Sequence, residues 1–384
     1  MTSLSEQLLE LQNQNAYRVR QTVETPQGVK ITVNGQPYIS FCSNDYLGLA
    51  NDPRVCEVTK KAIDQYGVGT GASQLISGYT NAHKELEQHL ADFFSYPRCV
   101  LFSSGFLANL GVISSLAKKN TTVIEDKLNH ASLIDAAKYA GAKLKRYKHC
   151  DSDHAKEILA SLNSDDCLIA SDGVFSMEGS IAPIKQLASI KNNNTLIIDD
   201  AHGIGVLGKH GRGSLEYHNI SSSHVDILIG TFGKSFGVSG AFVLGNNEMI
   251  EYLIQKARTL IYTTAAPAAL AIAASKSLKI IISESERRDR LHDNISYFRK
   301  CAHQASLDLL ASNTAIQSLV IGDNITTVQV SNKLKQNGLL TLAIRPPTVP
   351  KNTARLRITL TSEHSHRHID MLISSLAQIV KSIT

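Results

Sequence analysis

Short apolar runs alternate with helix-like segments between about residues 55 and 285, and this alternation most limits the folds open to the chain. Residues 82–94 have the apolar periodicity of a helix, and the run 99–103 is short and apolar. Further short runs lie at 121–126, 143–147, 166–171, 195–200, 225–230 and 240–245. Strands that alternate with helices form a mostly parallel sheet covered by helices. The pattern therefore predicts an α/β domain with a doubly wound sheet.

The last hundred residues have a different pattern. Residues 316–322, 339–344 and 354–361 are typical of strands, and the helical segments 326–338 and 368–383 accompany them. This pattern favours a smaller α+β domain. We therefore predict an N-terminal arm over 1–48, a large domain over 49–285 and a small C-terminal domain over 286–384.

The composition argues against several classes of function. The chain has 384 residues, 43% of them apolar, and a net charge of +5. It has no dense Lys/Arg run and no Trp, which argues against a nucleic-acid partner. Residues 1–20 form an amphipathic pattern without the apolar core of a signal peptide, and the apolar stretch 263–283 contains Pro267 and two lysines. We therefore expect a cytoplasmic protein with no membrane association.

The cysteines and the histidine-rich segment give no clear metal signature. The six cysteines are scattered without a C-x-x-C pair, which favours reduced thiols over disulfides or zinc. The segment HSHRH (364–368) could suggest a metal, but it stands at the start of the last helix. We predict a solvated helix face there and no metal site.

Lys234 lies between glycines after an apolar run, in a setting that suits a lysine badly. Gly233-Lys234-Ser235 matches the end of the phosphate-binding pattern G-x-x-x-x-G-K-[ST], but Leu228 stands where the first glycine is required. The nucleotide-binding alternative therefore fails on spacing. A lysine used for its nucleophilic amine and a surface lysine that extends into water both remain open at this point.

Polar residues collect at the ends of the predicted strands. Gly105 opens a helix after the run 99–103, and a helix N-terminus binds anions. Asp199 and His202 follow the run 195–200, and Lys234 follows the run 225–230. In doubly wound sheets the ligand lies at this edge. An anion site, a carboxylate, an imidazole and an amine together are what pyridoxal phosphate (PLP) requires.

Each of these features also has a plainer explanation. Asp-Asp at a strand end is often helix capping, and a lone histidine is usually a polar residue with its hydrogen bonds satisfied. Glycine after Ser-Ser is usually a turn, and His130 could simply precede a helix. Their joint occurrence in this order favours the PLP prediction.

The sequence resembles the α-oxoamine synthases, which are fold-type I PLP enzymes. The similar segments are SNDYLGL (43–49), DKLNHASL (126–133), DGVFSMEG (172–179), DDAHGIGVLG (199–208) and TFGKSFGVSG (231–240). The resemblance runs through nearly the whole chain in the same motif order. It implies an enzyme that condenses an amino acid with an acyl thioester and loses carbon dioxide. It also implies a homodimer whose interface builds the active sites.

The resemblance implies roles for individual positions. Lys234 would hold the cofactor covalently and move the α-proton, with Asp199 at the pyridine nitrogen and His130 stacked on the ring as the other catalytic residues. The cofactor-binding set would be Gly105, Phe106, His130, Ser176, Asp199, His202, Thr231 and Lys234. The substrate-binding set would be Arg18, Asn44, His130, Thr348 and Arg357, with Asn44 and Arg357 at the amino-acid carboxylate.

Two segments bear on the branch of the family. AIRPPTVPKNTARLRITL (343–360) and SGYTNAH (77–83) are most similar to the branch that joins L-alanine to a pimeloyl thioester, carried on coenzyme A or a carrier protein, in biotin synthesis. The segment GTGASQ (69–74) departs from the family, which usually has more glycine and often an arginine there. The alternative branch is glycine C-acetyltransferase, and an inactive, cofactor-storing relative would be a different class of protein.

Overall fold

A computed structural model describes residues 3–162 and 166–382. The strands are β1 (Lys30–Val33), β2 (Gln36–Ser40), β3 (Arg98–Phe102), β4 (Thr122–Asp126), β5 (Lys143–Tyr147), β6 (Cys167–Asp172), β7 (Thr195–Asp199), β8 (Ile227–Thr231), β9 (Ala241–Gly245), β10 (Ile316–Gly322), β11 (Leu339–Leu340), β12 (Leu342–Ile344) and β13 (Ala354–Thr359).

The helices follow the same chain order. They are α1 (Leu4–Asn13), α2 (Pro53–Tyr66), α3 (Asn81–Phe94), α4 (Gly105–Leu116), α5 (Ala131–Tyr139), α6 (Ser152–Ala160), α7 (Ile184–Ile190), α8 (Ser214–Tyr217), α9 (Asn247–Lys256), α10 (Arg258–Ile261), α11 (Ala268–Ser283), α12 (Ser285–Gln304), α13 (Asn324–Gln336) and α14 (His366–Lys381).

The chain divides into two compact units. The smaller unit contains the described parts of Met1–Gly48, Met177–Ser180 and Asp289–Thr384. The larger unit contains the described parts of Leu49–Ser176 and Ile181–Arg288. No helix in the described ranges is both long and apolar enough to span a bilayer.

A seven-stranded sheet forms the centre of the larger unit, in the order β3-β9-β8-β7-β6-β4-β5. Neighbouring strands are parallel except at β9, which is antiparallel to both β3 and β8. The predicted α/β fold with a mostly parallel sheet is thereby confirmed. Every residue of β4 and β6 is buried, as expected for strands covered on both faces. The edge strand β5 carries three basic residues, Lys143, Lys145 and Arg146, which discourage further pairing at that edge.

Strand direction places the candidate chemistry on one edge of this sheet. Because β3 and β8 are both antiparallel to β9, they run in the same direction, and β4, β6 and β7 share it. The carboxyl ends of all five strands therefore lie on the same side. Each strand is followed by a short turn that carries polar residues, so these turns meet at one edge.

Strands β8 and β9 form a hairpin around the loop 232–240. Phe232 N donates to Gly240 O at 2.9 Å, and Val238 N donates to Phe232 O at 2.8 Å. Gly237 within the loop has φ +67°, and a Cβ there would lie 2.2 Å from Ala50 N, so only glycine fits. The loop is thus held by backbone hydrogen bonds and by close packing.

The smaller unit contains two three-stranded sheets. β10-β13-β12 is antiparallel, and β1-β2-β11 joins the N-terminal hairpin to a C-terminal strand. The run 339–344 was expected as one strand. It is two, because β11 pairs with β2 while β12 pairs with β13.

The segment HSHRH is only partly the solvated face that we expected. His364 is 5% exposed and stacks on Phe41 with ring centroids 4.4 Å apart. Its Nδ1 accepts from Thr361 N at 3.0 Å, and its Nε2 lies 3.0 Å from Ser40 O. The expectation was wrong for His364, which is a buried neutral ring. His366 is partly exposed and pairs with Asp293 at 2.8 Å.

Candidate active site

A cavity of about 190 Å³ lies in the larger unit at the carboxyl edge of the sheet. All eight residues predicted to bind the cofactor line it, namely Gly105, Phe106, His130, Ser176, Asp199, His202, Thr231 and Lys234. Five further lining residues were not predicted, namely Asn109, Ser132, Asp172, Val174 and Ala201. The turns after β3, β4, β6, β7 and β8 all contribute, which explains how residues far apart in sequence meet here.

Asp199 ends β7 and is held by two donors. Asn109 Nδ2 donates to Asp199 Oδ2 at 2.6 Å, and Ala201 N donates to Oδ1 at 3.0 Å. Asp199 is 8% exposed. These two hydrogen bonds fix the orientation of the Asp199 carboxyl group in the cavity wall.

The neighbouring Asp200 has a different role. It is fully buried, and its Oδ2 accepts from Ser214 N at 2.7 Å. A Cβ on Gly173, Gly203 or Gly213 would lie within 2.4 Å of an Asp200 carboxylate oxygen. Burial raises the pKa of Asp200 to about 7, against the opposing hydrogen bonds from Ser214. Asp200 therefore supports the turn beneath the cavity, whereas Asp199 faces into it.

His130 joins a hydrogen-bond chain that leads to Asp199. Its Nδ1 accepts from Ser132 N at 3.3 Å and lies 2.7 Å from Ser132 Oγ, which accepts from Asn109 Nδ2 at 2.8 Å. An Nδ1 that accepts leaves the proton on Nε2. Removal of water from around the ring lowers the pKa of His130, as does the charge of Lys234, although Asp199 opposes them. The chain thus favours a neutral ring with a defined tautomer.

Asp172 ends β6 and was missed by sequence reasoning. Its Oδ2 accepts from His130 N at 2.9 Å. Burial and the charge of Asp199 raise the pKa of Asp172 well above its usual value, which favours the neutral carboxyl. Its position after an apolar strand is the same signal that identified Asp199.

Lys234 lies half-buried in the β8–β9 hairpin loop and lines the cavity. Gly237 N donates to Lys234 O at 2.8 Å, and Ser235 Oγ donates to Ile204 O at 2.6 Å, so the backbone on its C-terminal side is fixed. The ammonium charge opposes the pKa increase of Asp172 and of Asp200. The amine and the acids therefore share one electrostatic environment, which favours the nucleophilic-lysine prediction over the surface lysine.

The helix α4 begins at Gly105 on the cavity wall. Ser104 caps it, with Oγ accepting from Leu107 N at 3.3 Å. A Cβ on Gly105 would be 3.9 Å from Thr231 Cβ, which places the helix start opposite the Thr231 side chain. The positive end of the helix dipole and a hydroxyl group therefore meet at one place, as an anion site requires.

His202 and Ser176 complete the predicted cofactor set. His202 lies three residues after Asp199 in the turn that follows β7, and Ser176 follows β6. Both are half-buried and line the cavity.

The residues present fit the PLP that the sequence predicts. The cavity offers an anion site at Gly105, a fixed carboxylate at Asp199, an amine at Lys234 and a ring face at His130. The buried Asn109 Oδ1 also has no hydrogen-bond partner among the described residues. These groups match the phosphate, pyridine nitrogen, aldehyde and ring of PLP.

The predicted carboxylate-binding pair lies in the smaller unit. Arg357 is 4% exposed, and its Nη2 donates to Asn44 Oδ1 at 3.0 Å. Its Nη1 donates to Thr359 Oγ1 at 3.1 Å. Tyr46 Oη also donates to Asn44 Oδ1 at 3.4 Å. The two residues are 313 positions apart in sequence, so only the folded chain brings them together.

The two predicted acyl-contact residues also meet in the smaller unit. Arg18 Nη2 donates to Thr348 Oγ1 at 3.5 Å, and both side chains are exposed. Arg345 lies close by in sequence and donates to Asn15 O. The N-terminal segment and the loop 345–352 therefore form one basic surface.

Residues 36–376 match the family model for aminotransferase class I and II. An 8-amino-7-oxononanoate synthase from Methylococcus capsulatus is 47% identical over 375 residues, which cover 97% of each chain. One from Nitrosococcus oceani is 46% identical and covers 97% of this chain and 100% of its own.

Solved structures agree with these sequence relatives. A serine palmitoyltransferase from S. paucimobilis with a bound PLP–myriocin aldimine superposes with a TM-score of 0.93 at 28% identity, covering 99% of this chain and 97% of that one. An 8-amino-7-oxononanoate synthase from Francisella tularensis has a TM-score of 0.80 at 34% identity, covering 90% and 98%. The predicted resemblance is confirmed, and the chain belongs to the aminotransferase class I and II family.

Proposed function

We propose that the chain is a PLP-dependent acyltransferase that joins L-alanine to a pimeloyl thioester and releases carbon dioxide and free thiol. The product is 8-amino-7-oxononanoate, which serves biotin biosynthesis. The observation that carries the proposal is the cavity in which Lys234, Asp199 and the start of α4 meet, in a chain 47% identical to a synthase of that name.

Bound PLP supplies an electron sink for the negative charge that forms at the substrate α-carbon. Asp199 would face the pyridine nitrogen, because Asn109 and Ala201 hold its carboxyl oxygens in place. His130 would stack on the ring of the cofactor, with its orientation set by the contacts of its Nδ1 with Ser132. His202 and Ser176 would lie at the ring hydroxyl.

Lys234 has two tasks in this proposal. Its amine would hold the cofactor covalently, and its Nζ would remove the proton from the α-carbon of alanine. The fixed hairpin supports both tasks, because the backbone around Lys234 is anchored by Gly237 and Ser235. Gly105, Phe106 and Thr231 would bind the phosphate end.

Arg357 and Asn44 would bind the alanine carboxylate. A guanidinium suits a carboxylate because its two N–H groups donate in parallel. Arg18 and Thr348 would contact the acyl substrate, which ends in a second carboxylate when the acyl group is pimeloyl. The basic surface formed with Arg345 supports a dicarboxylate-derived substrate.

We also propose a cytoplasmic homodimer with shared active sites. The resemblance to the family supports the homodimer. Light scattering on the PLP-loaded protein would measure its molar mass, which should be twice that of one chain.

Thiol release tests the reaction directly. PLP-loaded protein is given L-alanine with pimeloyl-CoA, and in parallel glycine with acetyl-CoA, since glycine C-acetyltransferase is the alternative. We expect release only with the first pair, and a parallel run with a pimeloyl carrier protein identifies the better donor. Release only with glycine and acetyl-CoA would overturn the branch, and release with neither pair would overturn the reaction class.

A further inference from the structure

A second group of reactive side chains lies outside the cavity at the carboxyl end of β4. Asp126 ends that strand, and His149 and Cys150 follow β5, the strand beside it. One possible ligand or nucleophile atom from each of the three lies within 4.8 Å of the others. None of the three lines the cavity described above.

Asp126 orients and charges His149. The carboxylate is fully buried, and its Oδ1 lies 3.0 Å from His149 Nδ1. Its oxygens also accept from Leu128 N at 2.8 Å and from Cys150 N at 2.7 Å, so they are already engaged. Burial by itself lowers the pKa of His149, but the hydrogen bonds with Asp126 and Cys150 outweigh it and raise the pKa to about 10. His149 is therefore an imidazolium at neutral pH.

The sulfur of Cys150 lies against this imidazolium. Sγ is 3.6 Å from His149 Nε2 and 3.8 Å from Nδ1. Both nitrogens of an imidazolium carry protons, so the positive charge of the ring lies within 4 Å of the sulfur. A nearby cation stabilises a thiolate, which is the nucleophilic form of cysteine.

The backbone at Cys150 is unusual. Cys150 has φ +54°, in the left-handed region that most side chains avoid. Eight described residues other than glycine have such angles, and five are Asn and two are Ser. Asn tolerates this conformation best. Cys150 therefore adopts a backbone conformation that is costly for most side chains.

We propose that Cys150 is a nucleophilic modification site, set up by Asp126 and His149, for small electrophiles such as hydroperoxides. The thiolate sulfur attacks the terminal oxygen of the hydroperoxide, so an S–O bond forms and the O–O bond breaks. Sulfur is oxidised by two electrons to the sulfenic acid, and the peroxide is reduced. The departing alkoxide or hydroxide takes the proton from His149, which balances the step.

The site is connected to the cavity wall through one segment. The His149 ring packs edge-on against Phe175 with centroids 4.4 Å apart, and Cys150 Sγ lies 3.7 Å from Ile181 O. Ile181 in turn forms a β-bridge with Val174, which lines the cavity. An oxygen added to Cys150 needs room at this segment, so we expect the modification to lower the activity.

Site-resolved labelling of the PLP-loaded protein tests the proposal. Isotope-coded iodoacetamide is added at neutral pH, and each cysteine is followed by peptide mass spectrometry. Cys56 and Cys301 serve as internal controls because they are also partly exposed. We expect Cys150 to react at least about tenfold faster than either, and His149→Gln to remove most of that advantage while the Cys56 rate stays unchanged.

Hydrogen peroxide provides the second readout. We expect the first added oxygen at Cys150 and a loss of activity in the native protein. Cys150→Asn should keep its basal activity and resist peroxide, because Asn suits the left-handed backbone. The proposal is overturned if Cys150 reacts no faster than Cys56, or if His149→Gln leaves its rate unchanged. A stoichiometric zinc ion that blocks labelling until a chelator is added would also overturn it.

If His149→Gln also changes the labelling rate of Cys56, that variant is unfolded and its labelling does not test the proposal. The test is then the loss of activity under hydrogen peroxide, compared between the native protein and Cys150→Asn. Equal inactivation of the two would then overturn the proposal.

Discussion

The cavity of the larger unit and the Arg357–Asn44 pair of the smaller unit are both polar, but they are assembled differently. The cavity collects turns that follow parallel strands of one sheet, so the topology alone brings Lys234, Asp199 and His130 together. The pair joins two segments 313 residues apart, which also share backbone hydrogen bonds such as Thr359 N to Phe41 O at 2.8 Å. The chemistry of the first arrangement is therefore more visible in the sequence than that of the second.

Removal of the lysine should have the largest effect on the cavity. We expect Lys234→Ala to lower turnover by at least about 10⁴-fold, because both the covalent anchor and the base are lost. Lys191→Ala is a matched control, since Lys191 only pairs with Asp226 at 2.9 Å in the same unit. Thiol release measured under saturating substrates checks this, and steady turnover by Lys234→Ala would contradict the assignment.

The two adjacent acids allow a sharper test of the cavity. Asp199→Asn should reduce turnover by about 10²–10³-fold, because the charge facing the cofactor is lost while the shape is kept. Asp200→Asn should change turnover little and should lower the melting temperature, since Asp200 lies beneath the cavity. Kinetics and thermal unfolding of both variants are compared. Equal kinetic losses would mean that the cavity does not distinguish the two acids.

A substitution at Arg357 in the smaller unit should change the KM for L-alanine. We expect Arg357→Lys to raise the KM for L-alanine by about 10–100-fold, because lysine cannot donate two parallel hydrogen bonds to a carboxylate. Arg355→Lys on the same strand is the control, as Arg355 is also buried but pairs with Glu178 at 2.9 Å. If both variants raise KM alike, the effect arises from the fold and the pair has no special role.

The smallest expected effect is on the stability of the smaller unit and not on catalysis. It is a pH dependence of the free energy of unfolding, caused by His364. Burial lowers the pKa of His364 from 6.5 to about 4, so the unfolded chain takes up a proton that the folded chain does not. The stability is therefore complete above pH 6.5 and falls as the pH drops toward 4, by roughly 1.4 kcal/mol per unit. Urea unfolding at several pH values measures the slope. The slope should flatten in His364→Gln, and an unchanged slope would assign it to other groups.

The sequence predicted the large sheet well, because apolar runs buried on both faces are easily recognised. The run 143–147 coincides with β5, and 195–200 differs from β7 by one residue. The antiparallel direction of β9 was not predicted, although the length of the connection indicates it. Only nine residues separate β8 from β9, which are too few for the crossover helix that a parallel pair needs. The division of 339–344 between two sheets depends on tertiary pairing and leaves no local pattern.

The site was predictable wherever a polar residue ended a strand. Asn109 and Ser132 were missed because both lie within helices, where a polar residue usually faces solvent. Their importance arises from the packing of α4 against α5, which brings Asn109 to Asp199 and Ser132 to His130. The distinction between Asp199 and Asp200 likewise needed the fold to show which carboxylate faces the cavity.

The hairpin that carries Lys234 has a consequence for the order of folding. Its hydrogen bonds join residues at most about twenty positions apart, so closing it costs little chain entropy. The start of α4, by contrast, reaches the sheet only when β3 pairs with β9, as Arg98 does with Gly245. Contacts of such long range form slowly. We therefore expect a nascent chain to form the loop of Lys234 early and to bring the start of α4 to the cavity late, when the sheet is complete.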